Sequence, residues 1–501
     1  MRFEFVLCAS LPRMAWCAQL QQGSELVRVH HGPWVETREG WFVEGAWSGD
    51  FEAGELDRAA FNLGSGGVLR AGRAVFCTQS DTIERLYSVR VGAELFLSNS
   101  LVFLLAMTDD EPDPGFPFYY HALRAHAMDG IRRTRKTIHT GRGRRVALHD
   151  RCQLEVGPDL RVARIEKPAD PRPESYGEYV AQLEGVLASV LANAASPARR
   201  SRRFAGLATV SGGYDSNALA ALLARLGVRE AITFADGASG KDSGAEVARR
   251  LGMTVREFDR RAFRGLRSAP EAEFFTGPRG FDVVLAPCEE ALVGKVLVIG
   301  RNGDIVFGLD PARKLAGFQT LREHVPSGST LLEFRLRVGF LNFNPLFTAG
   351  LHLSALDGIS RSEEMRPWRL GGSYDRPIAR RILEEAGIPR GCFGVRKARS
   401  AAIYLKTPAA MSPEGRADFE SYRRSMPRPA WWRRPWQWGL VKLRTRARRL
   451  GVAERLIPVP RQYDRVNEMD FAMHWGHARV RPRYAEAVAA KDQGAPRPVT
   501  V

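Results

Sequence analysis

Apolar and polar positions alternate in Arg73-Ala74-Val75-Phe76-Cys77 and in Ala93-Glu94-Leu95-Phe96-Leu97-Ser98. Period-two alternation marks half-buried antiparallel strands. Similar short runs, broken by glycine, fill residues 1–165 and predict an all-β region. Residues 167–174 then read Lys-Pro-Ala-Asp-Pro-Arg-Pro-Glu, where three prolines disfavour any regular element and predict a domain boundary. Beyond 175 the period becomes helical, with Tyr179, Leu183, Val186, Leu187 and Val190 on one stripe over 176–194. The basic run Arg199-Arg200-Ser201-Arg202-Arg203 that follows reads as a surface loop. Three apolar runs come next: Leu207-Ala208-Thr209-Val210, Ala231-Ile232-Thr233-Phe234 and Val296-Leu297-Val298-Ile299. Helical patterns separate them, one carrying Ala218, Leu219, Leu222, Leu223 and Leu226, another near 242–252. Strands alternating with helices predict βαβ units, a parallel sheet and an α/β fold class, with ligands at the carboxyl ends of the strands.

Composition narrows the possibilities. The chain has 501 residues, 44% hydrophobic and 26% charged, which excludes a disordered chain or a low-complexity fibre. A formal net charge of +18 calls for an anionic partner or substrate. Six cysteines contain no CxxC pair, so neither a disulfide framework nor a zinc knuckle is expected. No run approaches the ~18 apolar residues of a membrane span. The N-terminus has an acid at Glu4 and no apolar signal core. The location expected from these features is cytoplasmic.

The chemistry centres on Ser211-Gly212-Gly213-Tyr214-Asp215-Ser216, between an apolar strand and an amphipathic helix. Paired glycines let backbone approach a ligand closely. A helix start offers unpaired N–H groups and the positive end of a dipole, both suited to phosphate oxygens. Ser211 and Ser216 add hydroxyl donors, and Asp215 is a hard oxygen ligand for Mg²⁺. The plain alternative is a capped strand–turn–helix. No GK[ST] follows, so the loop is not of the Walker A type.

The hexapeptide resembles the pyrophosphate loop SGGxDS of the N-type ATP pyrophosphatases, a group that includes asparagine, GMP, NAD and argininosuccinate synthetases. The resemblance implies a PP-loop parallel sheet of the adenine-nucleotide α-hydrolase kind. It also implies ATP cleavage between the α and β phosphates, with ATP and Mg²⁺ as cofactors. A second block, Ile299-Gly300-Arg301-Asn302-Gly303-Asp304-Ile305-Val306-Phe307-Gly308, resembles the asparagine-synthetase stretch SG[ED]G[GSA]DE[LV]FGG. By that likeness Asp304 is the second Mg²⁺ ligand opposite Asp215, and Gly300 and Gly303 hold the turn open. Arg301 stands where asparagine synthetases carry an acid and β-lactam synthetases a tyrosine. Arginine is no general base at neutral pH, so a clamp on carboxylate or phosphate is its expected role.

A third block, Arg390-Gly391-Cys392-Phe393-Gly394-Val395-Arg396-Lys397, follows a helical stretch starting near Arg376. It resembles the segment that brings a cation to the phosphates. That assigns Lys397, with Arg396 as its neighbour, to the charge developing in adenylation. Thr233 and Phe234 end the second strand, where the family seats adenine and ribose. Asp242 reads as a helix cap, Glu289 and Glu290 as helix surface, and His30, His31, His474 and His477 as surface or core.

Residues 1–165 resemble, over about half their length, the glutaminase domain of asparagine synthetases. Residues 73–76, 86–100, Gly130–Arg133 and Arg144–Leu148 carry the likeness, which implies an antiparallel sandwich with an N-terminal nucleophile (an Ntn fold). Such glutaminases place Cys directly after Met. Here Arg2 stands there, and Cys8 and Cys17 are internal. The domain is therefore expected not to hydrolyse glutamine, as in β-lactam synthetases and lasso-peptide cyclases. The synthetase unit is expected over 175–410 and a basic extension over 411–501.

That extension concentrates ten of the excess positive charges in 423–450, with Trp431, Trp432, Trp436 and Trp438 and no acid. Three readings compete: a helix packed by its tryptophans, an anionic membrane surface, and nucleic acid or an acidic protein. Taken together, the residues predict an ATP-dependent, AMP-forming amide ligase acting on a small-molecule or peptide carboxylate and an amine. The alternative is a non-catalytic nucleotide-binding scaffold of the same fold.

Overall fold

The computed structural model describes residues 1–116, 119, 123, 137–167, 171–237, 240–277, 282–309, 330–349, 352–372, 374–394, 403–426 and 468–493. The first half is built on two sheets. A seven-stranded sheet runs in the order Arg2–Leu7, Leu26–His31, Trp16–Gln21, Glu94–Ser98, Leu86–Val91, Arg145–His149, Thr137–His139. A six-stranded sheet runs Val162–Glu166, Cys152–Val156, Arg73–Cys77, Gly66–Arg70, Trp41–Val43, Glu36–Arg38. Alternate residues of both meet in one core: Trp16, Ala18 and Leu20 with Leu95 and Leu97 from the first sheet, Ala74 and Phe76 with Leu154 and Val156 from the second. The opposite face of the first sheet, including Cys17, Tyr87 and Phe96, packs on the helix Leu101–Met107, all of whose residues are buried.

One pairing departs from the antiparallel expectation. Arg2–Leu7 runs parallel to Leu26–His31, with Arg2 opposite Leu26 and Leu7 opposite His31. Alternation sets which face of a strand is buried but carries no information on strand direction.

The second half holds a five-stranded sheet of β1 (Ala205–Thr209), β2 (Glu230–Phe234), β3 (Thr254–Phe258), β4 (Lys295–Val298) and β5 (Leu341–Phe343). Their order is β3-β2-β1-β4-β5, and every pair is parallel. The helices α1 (Tyr176–Ala195), α2 (Asp215–Arg225) and α3 (Ala245–Arg250) fall where the helical patterns predict them. Ser175 caps α1 by accepting from the Glu178 amide, and α1 buries Tyr179, Leu183, Leu187 and Val190 along its stripe. The chain winds from β1 towards β3 on one side and places β4 and β5 on the other. The strand order therefore reverses between β1 and β4, which opens a crevice at their carboxyl ends.

The two halves are joined by buried polar contacts. Arg335, on the helix Leu332–Val338, is 2% exposed and meets Glu44 at 2.8 Å and Glu84 at 2.6 Å. The basic run at 199–203 is not a solvated loop throughout. Arg199 is buried, its guanidinium 4.4 Å from the Phe51 ring centroid and its Nη2 donating to the Gly45 carbonyl at 2.7 Å. Burial pushes its pKa down to about 10. The carboxylate of Glu36 accepts from the amides of Arg200 and Ser201. Arginine stems bury readily beside aromatic rings, so a local charge run need not face water.

Residues 468–493 bridge both halves. Tyr484 stacks on Phe103 with centroids 4.5 Å apart, Glu486 accepts from the Ser10 amide, and Lys491 donates to the Met107 carbonyl. Trp475 is fully buried and donates to Asp418. His30, His31, His474 and His477 are all buried core residues, while Glu289 and Glu290 lie on a helix surface paired with Arg337 and Arg256. All six cysteines are unpaired. Among the described residues no helix is long and apolar enough to cross a membrane.

Candidate functional site

The loop Ser211–Tyr214 leaves the carboxyl end of β1 and runs directly into α2. Its shape is held by side chains that locate almost every backbone group. Asn217, fully buried on the first turn of α2, accepts from the Ser211 amide at 3.1 Å and donates to the carbonyls of Ser211 and Gly213 at 2.6 and 2.8 Å. The hydroxyls of Ser211 and Ser216 lie 2.9 Å apart across the mouth of the loop. No side chain caps α2, whose N-cap is Tyr214. The positive end of this eleven-residue helix therefore lies at the carboxyl end of β1 without a side-chain cap.

Asp242 does not cap the next helix, contrary to the sequence reading. The N-cap of α3 is Gly244, without a side-chain bond. Asp242 instead receives the Gly212 amide on both its carbonyl (2.9 Å) and its Oδ1 (3.0 Å). A capping motif and a long-range contact to a loop use the same residue type, so the local sequence could not separate them.

The second block reaches the same place from β4. The turn at 300–302 leads into the short helix α4 (Gly303–Val306), with Asn302 in the left-handed region at φ 66°. A Cβ on Gly300 would lie 2.6 Å from the Ser216 nitrogen, and one on Gly303 would lie 2.3 Å from the Asp215 Cγ. Both glycines are there because the two loops touch. Asn344, just beyond β5, donates to the Asn302 side chain at 3.1 Å and fixes the turn from below. Asp304 sits half-buried in the first turn of α4. Arg301 is half-buried on the same turn, its Nε and Nη1 covered.

A third segment, unassigned by sequence reasoning, completes the cluster. Arg376, the N-cap of α5 (Pro377–Glu385), forms an ion pair with Asp215, its side chain 5% exposed. Burial works against its charge, yet Asp215, and beyond it Tyr374 and Asp304, hold its pKa above the usual arginine value. Its guanidinium lies 5.0 Å from the Tyr374 ring centroid. Tyr374, whose hydroxyl burial pushes up to about 12, packs against Tyr214 at 5.0 Å. Arg380 lies one turn along α5, fully buried. It donates to Asp375 at 2.9 Å and to the Tyr214 hydroxyl. Asp375 in turn accepts from the amides of Leu370 and Gly371.

The third block docks on the first. The Gly394 amide donates to the Gly212 carbonyl at 2.9 Å, and a Cβ on Gly394, at φ +66°, would lie 2.1 Å from the Tyr214 ring. Arg396 and Lys397 lie outside the described residues, as do 428–450 and Gly130–Arg133. Thr233 and Phe234 end β2 at the same sheet edge, but their side chains turn inward. The Thr233 hydroxyl accepts from the Gly244 amide, and the Phe234 ring joins the core.

Among the described residues no three His, Cys, Asp or Glu side chains converge to hold a metal by themselves. Asp215 and Asp304 are two hard oxygen donors on touching loops, with Arg376 in the electrostatic reach of both. A helix start, two hydroxyls, two carboxylates and a buried guanidinium thus come together here, groups whose chemistry suits anionic oxygens and, at the carboxylates, a hard cation. No protein-family model matches the chain, and no curated protein does.

Proposed function

We propose that this chain is an ATP-dependent, AMP-forming amide ligase resembling the asparagine synthetases. It adenylates a carboxylate and passes the acyl group to an amine, taking no nitrogen from glutamine. The observation that carries the proposal is the packing of residues 211–216 against 300–304 at the β1/β4 reversal, about 85 residues apart in the chain. In this reading the helix start and the hydroxyls of Ser211 and Ser216 hold the pyrophosphate oxygens. Gly212 and Gly213 let them approach the backbone, and the carbonyl edges of Thr233 and Phe234 face the nucleoside. Magnesium fits the donors present, because it is usually held by one or two carboxylates together with substrate phosphates. When bound by Asp215 and Asp304 it would supply charge neutralisation for the departing pyrophosphate. Arg301 orients the substrate carboxylate or a phosphate oxygen through its guanidinium fork. Lys397, three residues past Gly394, is assigned to the charge that builds on the α-phosphate.

The thiols of the first half support a glutamine-independent reaction. Burial is the main cause that raises Cys8 to about 11, pushes Cys77 and Cys152 up to about 12, and raises Cys17 further. Thiols held protonated in this way are poor nucleophiles. The deciding experiment is exchange of labelled pyrophosphate into ATP across a panel of carboxylic acids. Exchange with at least one acid, abolished in Asp215→Ala, is the expected result. No exchange with any acid, alongside intact nucleotide binding, would make the protein a scaffold. Product formation from glutamine without added ammonia would overturn the glutamine-independent part.

A further inference from the structure

Arg376 engages Oδ1 of Asp215, and the turn after β4 crowds the same oxygen, where a Cβ on Gly303 would lie 2.7 Å from Oδ1 and 2.3 Å from Cγ. The guanidinium is buried, anchored at the start of α5 and flanked by the Tyr374 ring. Arginine does not release a carboxylate by losing its proton, so a metal at Asp215 meets this fixed charge unless something draws the guanidinium away. A bare divalent cation is a poor displacer, since it would meet a fixed positive charge beside two carboxylates and no third protein ligand among the described residues. A nucleotide brings oxygens that accept the guanidinium bidentately in exchange.

We propose that Arg376 sets the order of loading. It occupies Asp215 in the empty protein, keeps divalent cation out, and moves to phosphate oxygens when the metal arrives as its nucleotide complex. Arg376 is thus a positioning residue for Asp215 and a gate against metal bound alone. This inference rests on the nucleotide reading above, but it concerns metal affinity rather than turnover.

The test uses the full chain, Mn²⁺ as the probe and a non-hydrolysable ATP analogue cleavable at neither the α–β nor the β–γ position. Free Mn²⁺ is followed by electron paramagnetic resonance. Wild type is expected to bind Mn²⁺ weakly alone and about tenfold or more tightly with the analogue, a difference of one decade in affinity. Arg376→Met, which keeps the stem and loses the charge, is expected to bind Mn²⁺ alone about tenfold more tightly than wild type. Arg376→Lys, which keeps the charge, is expected to retain the wild-type order and guards against a folding defect in the first variant. Equal Mn²⁺ affinity of Arg376→Met and wild type without nucleotide, with the metal–analogue complex still bound by both, overturns the gate and leaves the ligase reading standing. Failure of wild type to bind the analogue under any condition overturns both.

Discussion

Substituting Gly303 by alanine tests the geometry on which the site depends. The added methyl would lie 2.3 Å from the Asp215 Cγ, 2.4 Å from its Cβ and 2.7 Å from its Oδ1. Carbon atoms rest about 3.5–4.0 Å apart, so one loop must retreat by about 1.2 Å or more. Rotating the Asp215 side chain cannot relieve the clash, because its Cβ is already too close, and rotation would also break the ion pair with Arg376. Overpacking of this kind costs about 1–3 kcal/mol of stability. A shift of about 1 Å in a positioning group can cost about 100-fold in rate. Urea denaturation and pyrophosphate exchange would be measured side by side. Gly358→Ala is the control: Gly358 lies on the helix Leu353–Arg361 with nothing within 4 Å of a new Cβ, so this change is expected to be neutral or to stabilise by about 0.4–1 kcal/mol. A double-mutant cycle with Asp215→Gly, which removes the offended Cβ, should recover most of the stability that Gly303→Ala loses. Wild-type stability and wild-type exchange in Gly303→Ala would show that residues 215 and 303 are not in contact, and the site as described would be wrong.

Further outcomes follow from the buried network around the site. Tyr214→Phe deletes an acceptor of the fully buried Arg380, and a hydrogen bond to a charged group is worth about 1.5–3 kcal/mol, readable as a lowered urea midpoint. An unchanged midpoint would mean Arg380 has no need of that hydroxyl. Arg335→Ala leaves Glu44 and Glu84 buried beside each other without their cation, which should cost about 3–5 kcal/mol in chemical denaturation. Burial raises Glu84 to about 8; Arg335 opposes this, while Glu44 and Asp81 add to it, since one guanidinium serves two carboxylates. Because this folded value exceeds the ordinary glutamate value of 4.5, the contribution of Glu84 is complete below pH 4.5 and is lost as pH rises through about 8. Glu84→Gln should therefore flatten the decline of stability between those limits, and parallel curves for variant and wild type would refute the assignment.

Much of this protein was legible in its residues alone. The change of hydrophobic period near 175, the helix stripe of Tyr179, Leu183, Leu187 and Val190, and the strand–loop–helix around Ser211–Ser216 all appear in the structure where the pattern places them. These features are local: burial on one face of one element leaves its period in the sequence whatever lies opposite. The glycines at 300 and 303 were equally visible, though not what they make room for.

What the tertiary structure alone decided is which elements meet. The order β3-β2-β1-β4-β5 puts Gly303 against Asp215, and no spacing in the chain states that order. Arg376 lies 161 residues from the aspartate it holds, and Asp242 supports Gly212 from 30 residues away. Arg199 looks like solvated charge until Phe51 is seen beneath it. Parallel pairing of the first strand is likewise silent in its alternation. The physical reason is common to all of them. Periodicity reports that a residue is buried, whereas ion pairs, strand neighbours and ring contacts depend on partners distant in sequence, which only the folded chain brings within a few ångströms.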